Sequence, residues 1–286
     1  MRMTGIVDSH QHFWQVGRFD YPWMTPQVEV LCQDYLPSTL QPILNRCGIE
    51  QTILVQASNS VAETRWLLSL ADHNSFIAGV VGWVDLQAED VARQLDDLTS
   101  HPKFKGVRHL VESEPADDWL ARPNVISGLR ELASREIAYD LLVHTRHLEY
   151  ARRVAQECPG LSLVVDHLAK PPIARHEIDE WRREIKKLAV YPHVSCKLSG
   201  LVTEADHEHW RGSDLRPYVE TALEYFGPRR MMFGSDWPVC LLAATYDRVL
   251  QTMQSLIAEL NSAERTQVLA GNAREFYRIG EHALAA

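Results

Sequence analysis

The sequence predicts an α/β fold, a single (β/α)8 TIM barrel, from three observations. Eight short apolar runs recur along the 286 residues, and most are rich in Val, Ile and Leu without clean polar alternation, as in strands that are buried on both faces. Segments with helical spacing separate the runs at intervals of about 30 residues. The length suits one such barrel, and the absence of a G-x-G-x-x-G turn disfavours a doubly wound nucleotide-binding sheet. We therefore expect one domain over residues 1–286.

The predicted strands are apolar runs that each end in polar or aromatic residues. In chain order they cover residues 5–10, 51–58, 77–86, 105–111, 138–145, 161–168, 194–201 and 230–237.

The predicted helices show amphipathic spacing and terminal signals. The first, "STLQPILNRCG", opens with Ser38 and Gln41 at the spacing of a capping box, and a glycine follows as a stop signal. "AEDVARQLDDL" places Val91, Leu95 and Leu98 on one face. "EIDEWRREIKKLA" and "YDRVLQTMQSLIAEL" are longer segments of the same kind, and each lies between two predicted strands or after the last one.

An extended loop after strand one interrupts the alternation. Residues 13–37 have no sustained period, and they contain three prolines together with Trp14 and Trp23. A long irregular connection inside a compact domain is usually functional. We expect this loop to fold over the mouth of the barrel and to form part of a pocket wall.

Composition limits the classes of partner. The net charge of −9 disfavours nucleic acid or an anionic membrane as the main partner, because both require a basic surface. No apolar run approaches the roughly 18 residues of a membrane span, and the N-terminus does not resemble a signal peptide. The five cysteines are scattered without a C-x-x-C pair, which favours the reducing cytoplasm. Homo-oligomerisation is left open.

The ends of the strands carry the candidate site residues, because active sites of this fold lie at the carboxyl ends of its strands. His10 and His12 are two residues apart on strand one, so they are expected to share a face and to point into the barrel mouth, where they could share a metal ion or shuttle protons. Asp166 is expected to face the strand–helix layer, opposite to its neighbour His167. The candidate residues at these ends are His10, His12, Gln56, Trp83, Arg108, His144, His167, Lys197 and Asp236.

The pattern resembles the amidohydrolase superfamily: His-x-His on strand one, histidines ending strands five and six, and an aspartate ending strand eight. "GNAREFYRI" resembles its closing helix, and "DSHQHFW", "GVRHL", "DHLAKP", "KLSGL" and "FGSDWPV" are similar to the branch that opens sugar lactones, such as L-fuconolactonases and L-rhamnonolactonases. The resemblance implies a metal or pseudo-metal site, with His167 beside it, formed by His10, His12, His144 and Asp236. Many relatives have a metal-bridging lysine where this chain has Arg108, so we expect at most one divalent ion, zinc being favoured. A metal-independent reaction stays open.

The same resemblance implies that the protein is a lactonase of carbohydrate metabolism. A neutral sugar lactone, for instance L-fuconolactone, would be opened to the sugar acid by water, with Asp236 as general base and the histidines as further catalytic groups. The expected substrate-binding residues are Gln56, Trp83, Arg108, Lys197, Trp14 and Trp23. Two alternatives remain: a metal-dependent decarboxylase of an aromatic or unsaturated carboxylic acid on the same barrel, and a non-catalytic sugar-binding barrel.

Overall fold

The computed structural model describes residues 5–280, and its centre is a barrel of eight parallel strands. Each strand from β1 to β8 is hydrogen-bonded to the next in chain order, which confirms the predicted (β/α)8 barrel. The strands are β1 (Ile6–Gln11), β2 (Ile49–Val55), β3 (Ile77–Gly82), β4 (Phe104–His109), β5 (Ala138–Leu141), β6 (Leu163–Val165), β7 (Val194–Leu198) and β8 (Met231–Phe233).

Helices alternate with the strands and surround them. They are α1 (Pro37–Cys47), α2 (Val61–His73), α3 (Val91–Thr99), α4 (Pro123–Ser134), α5 (Leu148–Glu157), α6 (Asp179–Ala189), α7 (Gly212–Phe226), α8 (Tyr246–Leu256), α9 (Ser262–Thr266) and α10 (Asn272–Phe276). The predicted capping box at Ser38 is wrong, because α1 begins one residue earlier, at Pro37, without a side-chain cap. Proline suits this first position, where its missing N–H would have no helical partner. None of the helices within residues 5–280 is long and apolar enough to cross a membrane.

The barrel closes between β1 and the segment that follows β8. The Asp236 N–H donates to the His10 carbonyl at 2.8 Å, and the His12 N–H donates to the Trp237 carbonyl at 2.7 Å. These backbone bonds hold the Asp236 side chain beside the two histidines of the first strand.

An irregularity in β1 changes which of its side chains face inward. Asp8 pairs with Thr52 and Gln11 pairs with Leu54, so β1 contains one more residue than β2 between these two pairs, which is a β-bulge. The Asp8 carboxylate accepts bonds from Ser235 Oγ at 2.6 Å and from the Tyr246 hydroxyl of α8 at 2.9 Å. Asp8 therefore joins β1, the end of β8 and α8, and it does not contact the imidazole rings of the candidate site by hydrogen bonds.

The apolar interior of the barrel is continuous with the C-terminal helical segment. Its buried residues come from several strands and from the chain around α10, and they include Val7, Ile53, Val55, Val81, Ala138, Val164, Met232, Ala273 and Tyr277. The polar groups described next follow these residues along the strands, toward the carboxyl ends.

The extended loop after strand one is present and packs over the barrel mouth. It connects β1 to α1 and contains the short 3-10 helix Pro26–Leu31. Trp14 pairs with Tyr35 through two backbone hydrogen bonds of 3.0 Å, and Trp23 Nε1 donates to the Ala57 carbonyl at 2.8 Å. The loop is thereby attached both to itself and to the end of β2.

Candidate active site

Three imidazole rings surround one carboxylate at the carboxyl end of the barrel. Asp236 Oδ1 lies 3.4 Å from Nε2 of His12 and 3.8 Å from Nε2 of both His10 and His167. The two nitrogens Nε2 of His10 and His12 are 3.2 Å apart. The structure thus brings together four of the residues expected at the site, from the ends of β1, β6 and β8.

Left-handed backbone conformations orient the side chains of Asp236 and His167 toward the site. Asp236 has a φ of 58°, and the four residues from His167 to Lys170 all have positive φ. Such conformations cost roughly 1–2 kcal/mol for each non-glycine residue and are typical of functional sites. They break the alternation of side chains expected of a strand, so that Asp166 and His167 both face the barrel interior.

Asp166 is a site residue that the sequence interpretation missed. The expectation that it faces the strand–helix layer is wrong, because Asp166 shares the inward face of Val164, and the left-handed turn that starts at His167 brings that residue inward as well. Its oxygens lie 3.3 Å from His10 Nδ1, 3.3 Å from Arg108 Nη1 and 3.0 Å from Lys197 Nζ. The signal available in the sequence was its two-residue spacing from the interior residue Val164. Asp166 orients the His10 ring so that Nε2 faces Asp236.

Lys197 lies beneath the imidazoles rather than in the cavity lining. Its side chain has no exposed surface, and Nζ contacts Asp140 Oδ2 at 2.5 Å and His10 Nδ1 at 3.0 Å. Asp140 in turn accepts bonds from the Tyr277 hydroxyl at 3.0 and 2.9 Å. A chain of polar contacts therefore runs from the C-terminal segment to His10. Asp140 had a signal in the sequence, a charged residue inside an apolar strand, whereas Tyr277 had none.

Burial and mutual contact set the protonation states of the site. Burial lowers the pKa of His10, His12 and His167, so these imidazoles are neutral near pH 7. Burial alone would raise the pKa of the Asp236 carboxyl, but the surrounding imidazoles, His167 foremost, hold it below its usual range. An ionised carboxylate among neutral imidazoles can accept a proton or bind a cation.

The donor set fits one divalent metal ion. The ligand atoms of His10, His12 and Asp236 all lie within 4.8 Å of one another, and imidazole with carboxylate is a donor set that suits zinc. His12 Nδ1 is occupied by the Val55 carbonyl at 2.8 Å, which leaves its Nε2 lone pair facing Asp236. A second grouping, of His10, Asp166 and His167, shares His10 with the first. Asp166 of this second grouping is already paired with Arg108 and Lys197, which favours one ion over two.

A cavity of about 200 Å³ opens beside these groups. Its walls are formed mainly by aromatic and aliphatic side chains of the extended loop and of the loops that follow the strands. A few polar groups complete them. The lining includes Trp14, Trp23, Leu31, Leu110, Leu142, Val239, His12, Arg108, Glu112, His167, Lys170 and Asp236. Trp23 and Arg108 therefore lie at the cavity, as expected of substrate-binding residues, whereas Trp14 supports the wall with no exposed surface.

Three other expected residues lie elsewhere. Gln56 is fully buried and donates to the Arg108 carbonyl at 3.1 Å, and Trp83 Nε1 contacts His109 Nδ1 at 3.0 Å; neither side chain lines the cavity. His144 does not join the other imidazoles, because the chain after β5 carries it to Glu112, with 3.6 Å between Nε2 and Oε2. Of the four residues that the resemblance implies for a metal site, the structure brings together His10, His12 and Asp236 and places His144 apart from them.

Comparisons with known proteins give consistent matches. Residues 7–279 match the model of an amidohydrolase family. Among curated proteins, L-fucono-1,5-lactonases of Burkholderia ambifaria and Burkholderia multivorans are 38% and 40% identical, and each alignment covers 97% of both chains. A crystal structure of a Burkholderia multivorans amidohydrolase with bound zinc is 39% identical, with a TM-score of 0.91 over 96% of this chain and 100% of that chain. The similarity therefore extends over nearly the whole barrel.

Proposed function

Because this chain belongs to the amidohydrolase family, we propose that it hydrolyses a sugar lactone, with L-fucono-1,5-lactone as the first substrate to test. The lactonase relatives, which match 97% of the chain, support this activity. The structural observation that carries the proposal is the Asp236 carboxylate beside the cavity, within 3.8 Å of the Nε2 atoms of His10, His12 and His167.

Asp236 acts as the general base in this proposal. It accepts a proton from water as the water oxygen bonds to the lactone carbonyl carbon, and the carbonyl π electrons move to the carbonyl oxygen. When the tetrahedral intermediate collapses, the carbonyl re-forms and the bond to the ring oxygen breaks. Asp236 then returns its proton to that ring oxygen. One water is consumed, and the product is a hydroxy acid.

Arg108 stabilises the negative charge that develops on the carbonyl oxygen. Its guanidinium lines the cavity and lies 3.2 Å from His10 Nε2, close to Asp236. Fixed donors aimed at a developing oxyanion are often the largest single contribution to such catalysis. When bound by His10, His12 and Asp236, a zinc ion would supply Lewis-acid polarisation of the same carbonyl.

The cavity suits a neutral ring. Trp23 can pack against the C–H face of a sugar, as aromatic rings commonly do, and the fully buried Trp14 packs behind it at 4.9 Å between ring centres. The Arg108 guanidinium keeps an ion pair with Asp166 at 3.3 Å, so it can donate a hydrogen bond to a carbonyl oxygen but offers no net positive charge for a substrate carboxylate. This balance favours lactone hydrolysis over the decarboxylation of an aromatic acid.

We also propose a cytoplasmic location. All five cysteines, each within residues 5–280, are unpaired thiols, which a reducing compartment would preserve. Homo-oligomerisation stays open, and light scattering can test it.

The test is a panel of five- and six-membered aldonolactones, including L-fucono-1,5-lactone and L-rhamnono-1,4-lactone, followed with a pH indicator. We expect acid release above the spontaneous rate for at least one of them. A chelator followed by added zinc measures the contribution of a metal ion. The proposal is wrong if no aldonolactone opens faster than background while a hydroxybenzoic acid releases carbon dioxide.

A further inference from the structure

A second cluster of charged side chains reaches the same cavity through two of its four members. The ammonium of Lys170 lies 2.5 Å from Glu112 Oε2 and 3.9 Å from Glu204 Oε1, and His144 Nε2 lies 3.6 Å from Glu112 Oε2. Glu112 and Lys170 line the cavity together with Asp236. The loops after β4, β5, β6 and β7 each contribute one member, so this cluster is assembled by the barrel and not by one local turn.

The backbone couples Lys170 to the reacting groups. Lys170 has a φ of 47° and ends the left-handed run that begins at His167. Its N–H donates to the His167 carbonyl at 2.8 Å, which closes the turn. The same strained turn therefore directs His167 toward Asp236 and Lys170 toward the cavity. Strain of this kind persists only where the surrounding structure enforces it, and it is frequent at ligand-binding sites.

The charges of the cluster indicate which ligand it suits. One ammonium stands beside the two carboxylates of Glu112 and Glu204, so there is no excess positive charge to attract an anionic substrate. Carboxylate oxygens accept hydrogen bonds from hydroxyl groups, and an ammonium donates up to three. Alternating donors and acceptors of this kind match a neutral polyol. Burial would lower the pKa of Lys170, but Glu112 and Glu204 outweigh it and raise that pKa, so the donor stays charged.

We propose that Lys170 and Glu112 form the subsite that binds the ring hydroxyl groups of the sugar lactone and thereby determine which lactone is opened. This inference rests on the proposed function, because it names the part of the substrate that the same cavity recognises. Asp236 and the imidazoles act on the carbonyl, and the Lys170–Glu112 pair contacts the hydroxylated part of the ring.

The experiment compares two lactones of equal ring size, L-fucono-1,5-lactone and δ-valerolactone, which lacks ring hydroxyls. The measured quantity is selectivity, the ratio of the two kcat/KM values. We expect Lys170→Met and Glu112→Gln each to lower selectivity about 10- to 100-fold, the range for a hydrogen bond that involves a charged group. The loss should lie mainly in KM for the sugar lactone. Lys187→Met, which removes an exposed lysine paired with Glu184 on α6, is the matched control and should leave selectivity unchanged.

The outcomes separate this inference from the proposed function. If the wild type prefers the sugar lactone but both variants keep its selectivity, or lose activity on both lactones in equal proportion, the subsite assignment is overturned and the lactonase proposal stands. The comparison uses whichever aldonolactone of the panel the wild type opens fastest, and if it opens none of them, both proposals are overturned. Glu112→Gln is nearly isosteric and lies on a different loop from Lys170, so it tests the pair even where Lys170→Met does not fold. Circular dichroism identifies a variant that has not folded.

Discussion

Replacing Lys197 with methionine should destabilise the whole protein. The side chain is fully buried beneath His10, with Asp140 Oδ2 at 2.5 Å and Asp166 Oδ1 at 3.0 Å. Arg108 Nη1 supplies the other nearby cation, 3.3 Å from Asp166 Oδ2. Two carboxylates thus face two cations, and Lys197→Met leaves one buried negative charge without a partner.

The expected size follows from that imbalance. Removing one member of a buried ion pair costs about 3–5 kcal/mol, because the remaining charge is neither solvated nor compensated. At about 2 °C per kcal/mol for a chain of this size, the melting temperature should fall by about 6–10 °C. The loss should be smaller at pH 5 than at pH 8. Burial already raises the pKa of Asp140 to about 6, and the unpaired carboxyl can be protonated in acid.

The assay is urea unfolding followed by circular dichroism, with Lys187→Met as a control for the loss of an exposed lysine. A double variant, Asp140→Asn with Lys197→Met, restores charge balance and should recover a substantial part of the lost stability. The amide oxygen that this variant carries at position 140 can still accept the bond from the Tyr277 hydroxyl.

A different result would refute this interpretation of Lys197. If Lys197→Met changed the free energy of unfolding by less than about 1 kcal/mol, the range of surface substitutions and weak pairs, but raised KM for the lactone, the side chain would contact substrate. That outcome would support the substrate-binding role expected from the sequence and contradict its position beneath the imidazoles.

Three further predictions concern other residues. Asp236→Asn should lower kcat by at least about 10²-fold with little change in KM, because it removes the base and keeps the shape; near-normal kcat in steady-state assays would exclude Asp236 as the base. Gly200→Ala should reduce kcat about 10-fold or more, because the added Cβ would lie 2.4 Å from His167 Nδ1 and residue 200 has a φ of 64°. Unchanged kinetics would show that the position of His167 is not required. Burial raises the pKa of Glu63 from 4.5 to about 7, so this carboxyl loses its proton at a lower pH in the unfolded chain than in the folded protein. The free energy of unfolding should therefore fall as the pH rises from 4.5 to 7. The melting temperature of Glu63→Gln minus that of the wild type should therefore be higher at pH 8 than at pH 5. An equal difference at the two pH values would contradict the raised pKa.

The sequence by itself determined the barrel architecture and the end of the barrel at which the candidate site lies. Apolar runs separated by helical segments can bury their surfaces only as parallel strands covered by helices. Parallel strands place their carboxyl ends at one rim, so His10, His12, His167 and Asp236 could be expected to meet there before any contact was known.

Only the tertiary structure decided which of the other polar residues line the cavity and which are buried beneath or beside it. His167 faces inward beside Asp166 because the chain turns left-handed just after β6, and Lys197 is buried because Asp140 of β5 and Asp166 after β6 neutralise it. His144 reaches Glu112 instead of the other imidazoles because of the turn that follows β5. These placements depend on a few backbone dihedrals at strand ends and on charge pairing between residues far apart in the chain. Neither leaves a periodic pattern in the sequence.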